Sequence, residues 1–290
     1  ERVCEEFGIR PDKVVKLKHH QSHAASAFYC SPFEHATVVT IDGVGEHETA
    51  TISLGEGTQL HRLASVNFPH SLGLFYSAIT AFLGFEVNEG EYKVMGMAAF
   101  GQPRYAEEML KLFSFSKNGE FKLKQKLFTF DCPGDTAYTT ALTEWLGPPR
   151  APESEFDPNH PSPEIRQSSL HYANVAASAQ KCTEEVVLRV IAKAIERTGC
   201  KEVCFAGGVA LNSVANFRLK RELGCNLFVQ PAAGDAGGAL GAALYQLHGV
   251  LGKPRRPALT NVYLGPEFSN EDCLIALKSR YISSFIEFST

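Results

Sequence analysis

No run of lysine or arginine interrupts this 290-residue chain: 28 basic and 32 acidic residues are interspersed and leave a formal net charge of -4. Without a basic patch it lacks the electrostatic footprint of a general nucleic-acid binder or of a protein drawn to an anionic membrane, so neither partner is expected. No stretch approaches the roughly eighteen consecutive apolar residues of a spanning helix, and no signal-peptide pattern opens the chain. A cytoplasmic setting is the expectation. None of the eight cysteines (Cys4, Cys30, Cys132, Cys182, Cys200, Cys204, Cys225, Cys273) stands in a C-x-x-C pair, which removes zinc ribbons and dithiol redox motifs and leaves reduced, mostly buried thiols. No G-x-G-x-x-G supports a Rossmann site. An initiator methionine is missing too: the chain opens at Glu1 inside a helix-like stretch, and we expect an excised fragment.

What is present is globular. With 44% apolar residues, a chain of this length buries roughly three quarters of its unfolded surface, enough for one large or two modest domains. "HATVVTIDG", "ETATISLGEG" and "LHRLASVNF" are β-branched runs divided by glycine-containing turns, and predict an antiparallel meander. "SLGLFYSAITAFLGF" carries apolar residues at helical spacing. Six prolines between Gly147 and Pro163 predict an exposed inserted loop, about 147–163. Beyond it a long amphipathic helix, a buried strand "KEVCFAGG", a helix from "VALNSVANFRLKREL", a strand "CNLFVQP" and a glycine-opened helix alternate. That alternation predicts an α/β unit whose ligands sit at the strand C-terminal ends. We expect 19–100 and 164–248 to form two lobes.

Three histidines crowd into "HHQSHAASAF". His19 and His23, four apart on a helix, share one face with Cβ atoms about 6 Å apart, within reach of one metal ion, while His20 points about 100° away. Histidines satisfied by structural hydrogen bonds are the plain alternative, and a metal needs further ligands. In "TIDGVGE" a strand ends on Asp42 and turns on Gly43 and Gly45, a geometry that suits phosphate or a metal, or merely a hairpin. Gly207 and Gly208 in "CFAGGVALN" lie between a strand and a helix N-terminus, where a nucleotide can approach the backbone, or where the glycine pair merely serves packing. Asn212 ends that turn. Asp235, before Gly237 and Gly238 in "GDAGGALGAAL", repeats the device.

These blocks, with "HSLGLFYSAITAFLGF" and "EYKVMGMAAFG", resemble in kind and order the NodU/CmcH (TobZ-like) O-carbamoyltransferase family across residues 19 to 245. The family's catalytic domain is similar to that of the enzymes making threonylcarbamoyl-adenosine in tRNA and to part of the hydrogenase-maturation carbamoyltransferase. The resemblance implies an α/β fold of the actin-like ATPase (ASKHA) type, incomplete here. It assigns residues 1–260 to the catalytic domain and 261–290 to a linker or the start of a missing YrdC-like domain. It implies that His19, His23 and Asp235 bind a divalent metal, iron first, with zinc and manganese as alternatives. Asp42, Gly43, Gly45, Gly207, Gly208, Asn212 and Gly237 would line the site of ATP, with its Mg²⁺, or of carbamoyl adenylate. The activity implied is transfer of a carbamoyl group, supplied by carbamoyl phosphate and ATP, to a hydroxyl of a small-molecule acceptor. Lys93 and His70 are the catalytic candidates, as charge neutraliser and base, although surface or helix-end structural roles suit both residue types. A homodimer is admitted. A kinase on the same fold, and an ATP-binding regulatory module without turnover, are the competing readings.

Overall fold

The computed structural model describes residues 2–130, 136–255 and 257–279. Along them run α1 (Arg2–Phe7), α2 (His19–Cys30), β1 (His35–Ile41), β2 (Glu48–Glu56), β3 (Gln59–Asn67), α3 (Leu72–Phe82), α4 (Glu91–Ala98) and α5 (Ala106–Leu110). There follow β4 (Phe113–Phe115), β5 (Phe121–Leu123), α6 (Thr140–Leu146), α7 (Pro163–Thr198), β6 (Glu202–Ala206), α8 (Ser213–Leu223), β7 (Asn226–Val229), α9 (Gly238–Leu244) and α10 (Asn270–Ser279). The chain divides into two compact units, 1–258 and 259–290. In the second, α10 buries none of its residues; the linker expected there extends into 280–290, and Cys132 belongs to 131–135, both outside the described residues.

Five strands form one mixed sheet in the order β3-β2-β1-β6-β7. β1 pairs antiparallel with β2, and β2 with β3, giving the expected meander; β1 pairs parallel with β6, and β6 with β7. The expectation of two lobes is corrected here. The segment 19–100 supplies β1 to β3, and 164–248 supplies β6 and β7, to the same sheet. The cause is β1 itself, whose six residues Ala36–Ile41 are all buried, so that both its edges and both its faces are covered. Such a central strand reads as a continuous apolar run and accepts a partner on each side.

The strand period of two divides the core. Val39, Ile41, Ile52, Val203 and Phe205 face one cluster with α3 and α7, where Phe75, Ile79, Phe82, Val187 and Ile191 are fully enclosed. Ala36, Val38, Cys204 and Ala206 face the other, against Ala24, Ala25, Ala27 and Phe28 of α2. Small residues on α2 let it lie close to its neighbours. A Cβ on Gly241 of α9 would stand 1.9 Å from the Ser22 carbonyl oxygen, so only glycine permits that helix crossing.

The proline-rich segment is tethered rather than free. Arg150 is buried, donates from its backbone N to Phe82 O and from its guanidinium to Leu83 O and Ser154 O, and packs 5.3 Å from the Phe85 ring centroid. Its last proline, Pro163, opens α7, where a missing N–H is harmless. Of the described cysteines, Cys30, Cys182, Cys200, Cys204 and Cys225 are buried and all are free thiols. No helix among the described residues is long and apolar enough to cross a membrane.

Candidate metal centre and cleft

α2 begins at His19 without a side-chain cap from Lys18; instead the carboxylate of Glu46, from the β1–β2 turn, accepts from the His19 N–H at 3.2 Å. An anion at a helix N-terminus satisfies an orphan donor and the helix dipole together. This holds the first turn of α2 over the end of β1. The 230–238 segment after β7 is held to the same helix: Gln230 Nε2 donates to Ser26 O at 2.6 Å, and Ser22 Oγ to Gly238 O at 2.5 Å.

The result is a convergence of four side chains. His23 Nε2 lies 2.7 Å from Asp42 Oδ2 and 3.5 Å from Asp235 Oδ1; His19 Nε2 lies 3.1 Å and 3.3 Å from the same two atoms. The two Nε2 atoms are 3.0 Å apart. Ligands bonded at about 2.1 Å to one ion stand roughly 3.0 Å apart at right angles and about 3.4 Å apart in a tetrahedron. The observed spacings match a common ion, and the donor set of two imidazoles and two carboxylates suits iron, zinc or manganese. Side-chain exposure runs from 1% at His23 through 15% at Asp42 and 28% at His19 to 79% at Asp235, so the cluster is closed on one side and open on the other. Sequence reasoning placed Asp42 near nucleotide or metal; the structure puts it closest to both imidazoles.

Electrostatics follow from the geometry. Burial alone would raise the Asp42 carboxyl, but hydrogen bonds from His19 and His23 and from the Gly43 N–H hold it far below the usual carboxylate range. The bond to Asp42 raises His19, against a smaller opposing effect of burial. Both trends describe protons held where a cation fits. His20, fully buried, takes no part. Its Nε2–H donates to Glu48 O at 2.9 Å, its Nδ1 accepts from Thr40 Oγ1 at 2.7 Å, and burial pushes its pKa down to about 4.

Beside the cluster opens a cleft of about 900 Å³. Asp42, Gly43, Gly208, Asn212 and Asp235 line it, together with Gly234, Tyr76, Thr183, Glu89 and Glu91. Asn212 caps α8 by accepting from Ala215 N, and it forms a reciprocal amide pair with Gln180 of α7 at 2.8 and 3.0 Å. Gln180 passes this on to Tyr76 OH and Glu184, and Glu184 to Arg218. Sequence reading singled out only Asn212 of this buried ladder, because its links join side chains of α3, α7 and α8 that no local period relates.

Other sequence candidates fall elsewhere. Gly45, Gly207 and Gly237 are not among the residues lining the cleft. A Cβ on them would meet His19 Cβ at 2.9 Å, Ile41 O at 2.2 Å and Ala232 O at 2.2 Å, and Gly207 also has φ +92°, so close packing explains all three. His70 does not cap α3; Ser71 Oγ does, accepting from Leu74 N, while His70 Nδ1 faces the Leu123 backbone beside the β4–β5 hairpin. Lys93 is exposed, with Nζ 5.9 Å from the ring centroids of Phe85 and Tyr92, outside the cleft lining.

The fold and the cluster together define an α/β domain that gathers two imidazoles and two carboxylates, a group able to hold a metal ion, at the C-terminal ends of its parallel strands. Residues 7–244 match the family described as carbamoyltransferase N-terminus, and the chain belongs to that family. It is 44% identical over 278 residues to an uncharacterised protein of Synechocystis sp., covering 93% of this chain and 43% of that protein. It is 33% identical over 273 residues to nodulation protein NolNO of Sinorhizobium fredii, covering 93% and 37%. The chain thus spans about two fifths of the length of these relatives. Among solved structures, full-length HypF in its phosphate- and nucleotide-bound form aligns at 14% identity with a TM-score of 0.41, over 80% of this chain and 42% of that one.

Proposed function

We propose that this chain is the metal-binding catalytic part of an O-carbamoyltransferase that moves a carbamoyl group from carbamoyl adenylate to a hydroxyl of a small-molecule acceptor. The observation that carries the reading is the convergence of His19, His23, Asp42 and Asp235 beside a glycine-lined cleft, in a chain of the carbamoyltransferase N-terminus family. The antiparallel meander leading into parallel strands supports reading the domain as one lobe of an actin-like ATPase fold. His19, His23 and Asp42 would hold a divalent ion from the closed side, and Asp235 from the open side. When bound, such an ion supplies Lewis-acid polarisation of a carbonyl or phosphoryl oxygen. Asp42, held deep in its ionised form, is a poor proton acceptor and serves as a ligand rather than a base. The missing Cβ at Gly208 and Gly234 leaves room for a nucleotide against the backbone of the cleft. Mg²⁺ would accompany ATP, and residues beyond 258 would begin the connection to the part of the longer polypeptide that makes the adenylate.

The test has two arms. Metal content is measured after loading with Fe(II), Zn(II) or Mn(II), and the full-length polypeptide is incubated with carbamoyl phosphate, ATP and a panel of hydroxylated acceptors for mass spectrometry. One tightly held ion per chain and a carbamoylated acceptor are expected. A phosphorylated acceptor, or a chain that takes up no metal, would overturn the reading.

A further inference from the structure

Seven buried side-chain atoms lack a hydrogen-bond partner among the described residues, and only one of them, Thr183 Oγ1, belongs to a residue lining the cleft. Thr183 sits inside α7 and is 1% exposed. A helical hydroxyl normally bonds back to the carbonyl four residues earlier. Three others in this molecule do so: Ser178 to Asn174 O at 2.6 Å, Thr80 to Tyr76 O at 3.0 Å and Thr198 to Ala194 O at 2.9 Å. Thr183 makes no such bond, although a buried hydroxyl without a partner is destabilising. It lies one helical turn beyond Gln180, whose amide pair with Asn212 ties α7 to the start of α8 beside it.

The charge of the cleft says which part of a ligand reaches Thr183. Its charged lining residues are Asp42, Glu89, Glu91 and Asp235; among the described residues no lysine, arginine or histidine lines it. A phosphate finds no cationic side chain there, and a cation held at the Asp42–Asp235 end would draw it to that end. The wall formed by Thr183, Tyr76, Asn212, Val209 and Leu211 is left for an uncharged moiety. Resting on the nucleotide reading given above, we infer that the Thr183 hydroxyl is a specificity-determining contact for the nucleoside half of a bound nucleotide, meeting a ribose hydroxyl or a ring nitrogen that completes its missing hydrogen bond.

Thr183→Val removes the hydroxyl and keeps the shape; Thr183→Ser restores it. Dissociation constants for ATP with Mg²⁺ and for adenosine are measured by calorimetry, with Tm alongside. Thr183→Val is expected to weaken both ligands by about 3- to 10-fold, the range of one neutral hydrogen bond. Thr183→Ser should return to within about twofold of the parent, and the Tm of Thr183→Val should equal or exceed the parent's, because an unpaired buried group is lost. Unchanged affinities in Thr183→Val, or weakened ATP with unchanged adenosine, would overturn the assignment. So would a lowered Tm, which means a partner within the chain, or a parent protein that binds neither ligand. The carbamoyl-transfer reading fails separately, through metal uptake measured without nucleotide.

Discussion

β1, β6 and β7 have two ends, and the two are built on opposite rules. At the N-terminal end polar groups are neutral or paired close at hand: Thr37 Oγ1 donates to Cys200 O at 2.8 Å and touches Thr198 Oγ1, and Asn226 Nδ2 donates to Glu202 Oε1 at 2.8 Å. At the C-terminal end two imidazoles and two carboxylates press within 4.8 Å of one another. One end pairs its polar groups close at hand; the other gathers four groups able to share a cation. The same strand backbones support both, so the difference lies in which side chains follow the last paired residue and what they meet.

The largest expected effect comes from breaking the charged end. On the proposed carbamoyl-transfer reading, Asp42→Ala or His23→Ala should abolish tight metal uptake and lower transfer by the full-length protein by more than about a thousandfold, since the ion would lose one of its ligands. Metal analysis with near-unchanged far-UV circular dichroism is the check, and an ion retained in both variants sinks the metal assignment. Next, His20→Ala should leave metal stoichiometry intact yet destabilise the fold by about 2–4 kcal/mol. It strands the Glu48 carbonyl and opens a void in the core. Urea titration together with metal analysis separates the two histidines; equal loss of metal in both would erase the distinction drawn between them.

The third expectation concerns pH. His20 has its folded pKa lowered to about 4 from an ordinary 6.5, by burial first. Between those values the unfolded chain binds the proton and the folded one refuses it. Stability is therefore full above about pH 6.5 and falls as pH drops toward 4, by up to about 3 kcal/mol from this group. A His20→Asn variant, which cannot titrate, should show a flatter pH dependence of its urea midpoint over that window; matching curves for the two proteins would refute the claim. Smaller still is Thr37→Val at the satisfied end. It should lower stability by about 1 kcal/mol, the net contribution of one hydrogen bond, with metal affinity unchanged. Smallest is Asn226→Ala, whose partner Glu202 is only half-buried: under about 0.5 kcal/mol. A change in metal affinity in either of the last two would mean that the two ends are coupled.

Much of this arrangement could be read in advance. The meander followed from β-branched runs and glycine turns, and the separation of His20 from His19 and His23 followed from 100° per residue. The carboxylate partners were less legible. Asp42 is nineteen positions from His23 and Asp235 more than two hundred, so no local period links them; resemblance alone nominated Asp235 as a metal ligand. A histidine and a serine both precede α3, and only the observed bond to Leu74 N shows that Ser71 rather than His70 caps it. Pro163 looked like the end of a loop and proved to be the first residue of a 36-residue helix. Thr183 carries no signal, since a threonine inside an amphipathic pattern reads as filler until its neighbours are known.

By itself the sequence determined what local chemistry controls: which segments are helix or strand, which face of α2 carries two imidazoles, and where glycines permit tight turns. Only the tertiary structure decided that the segments on either side of the proline-rich stretch share one sheet, that Asp42 rather than Asp235 sits closest to the histidines, and that one threonine is left without a partner at the cleft wall. Helix and strand periods act over a few residues. Convergence of side chains hundreds of positions apart depends on how β1, buried on both faces, accepts its neighbours, and no local pattern records that choice.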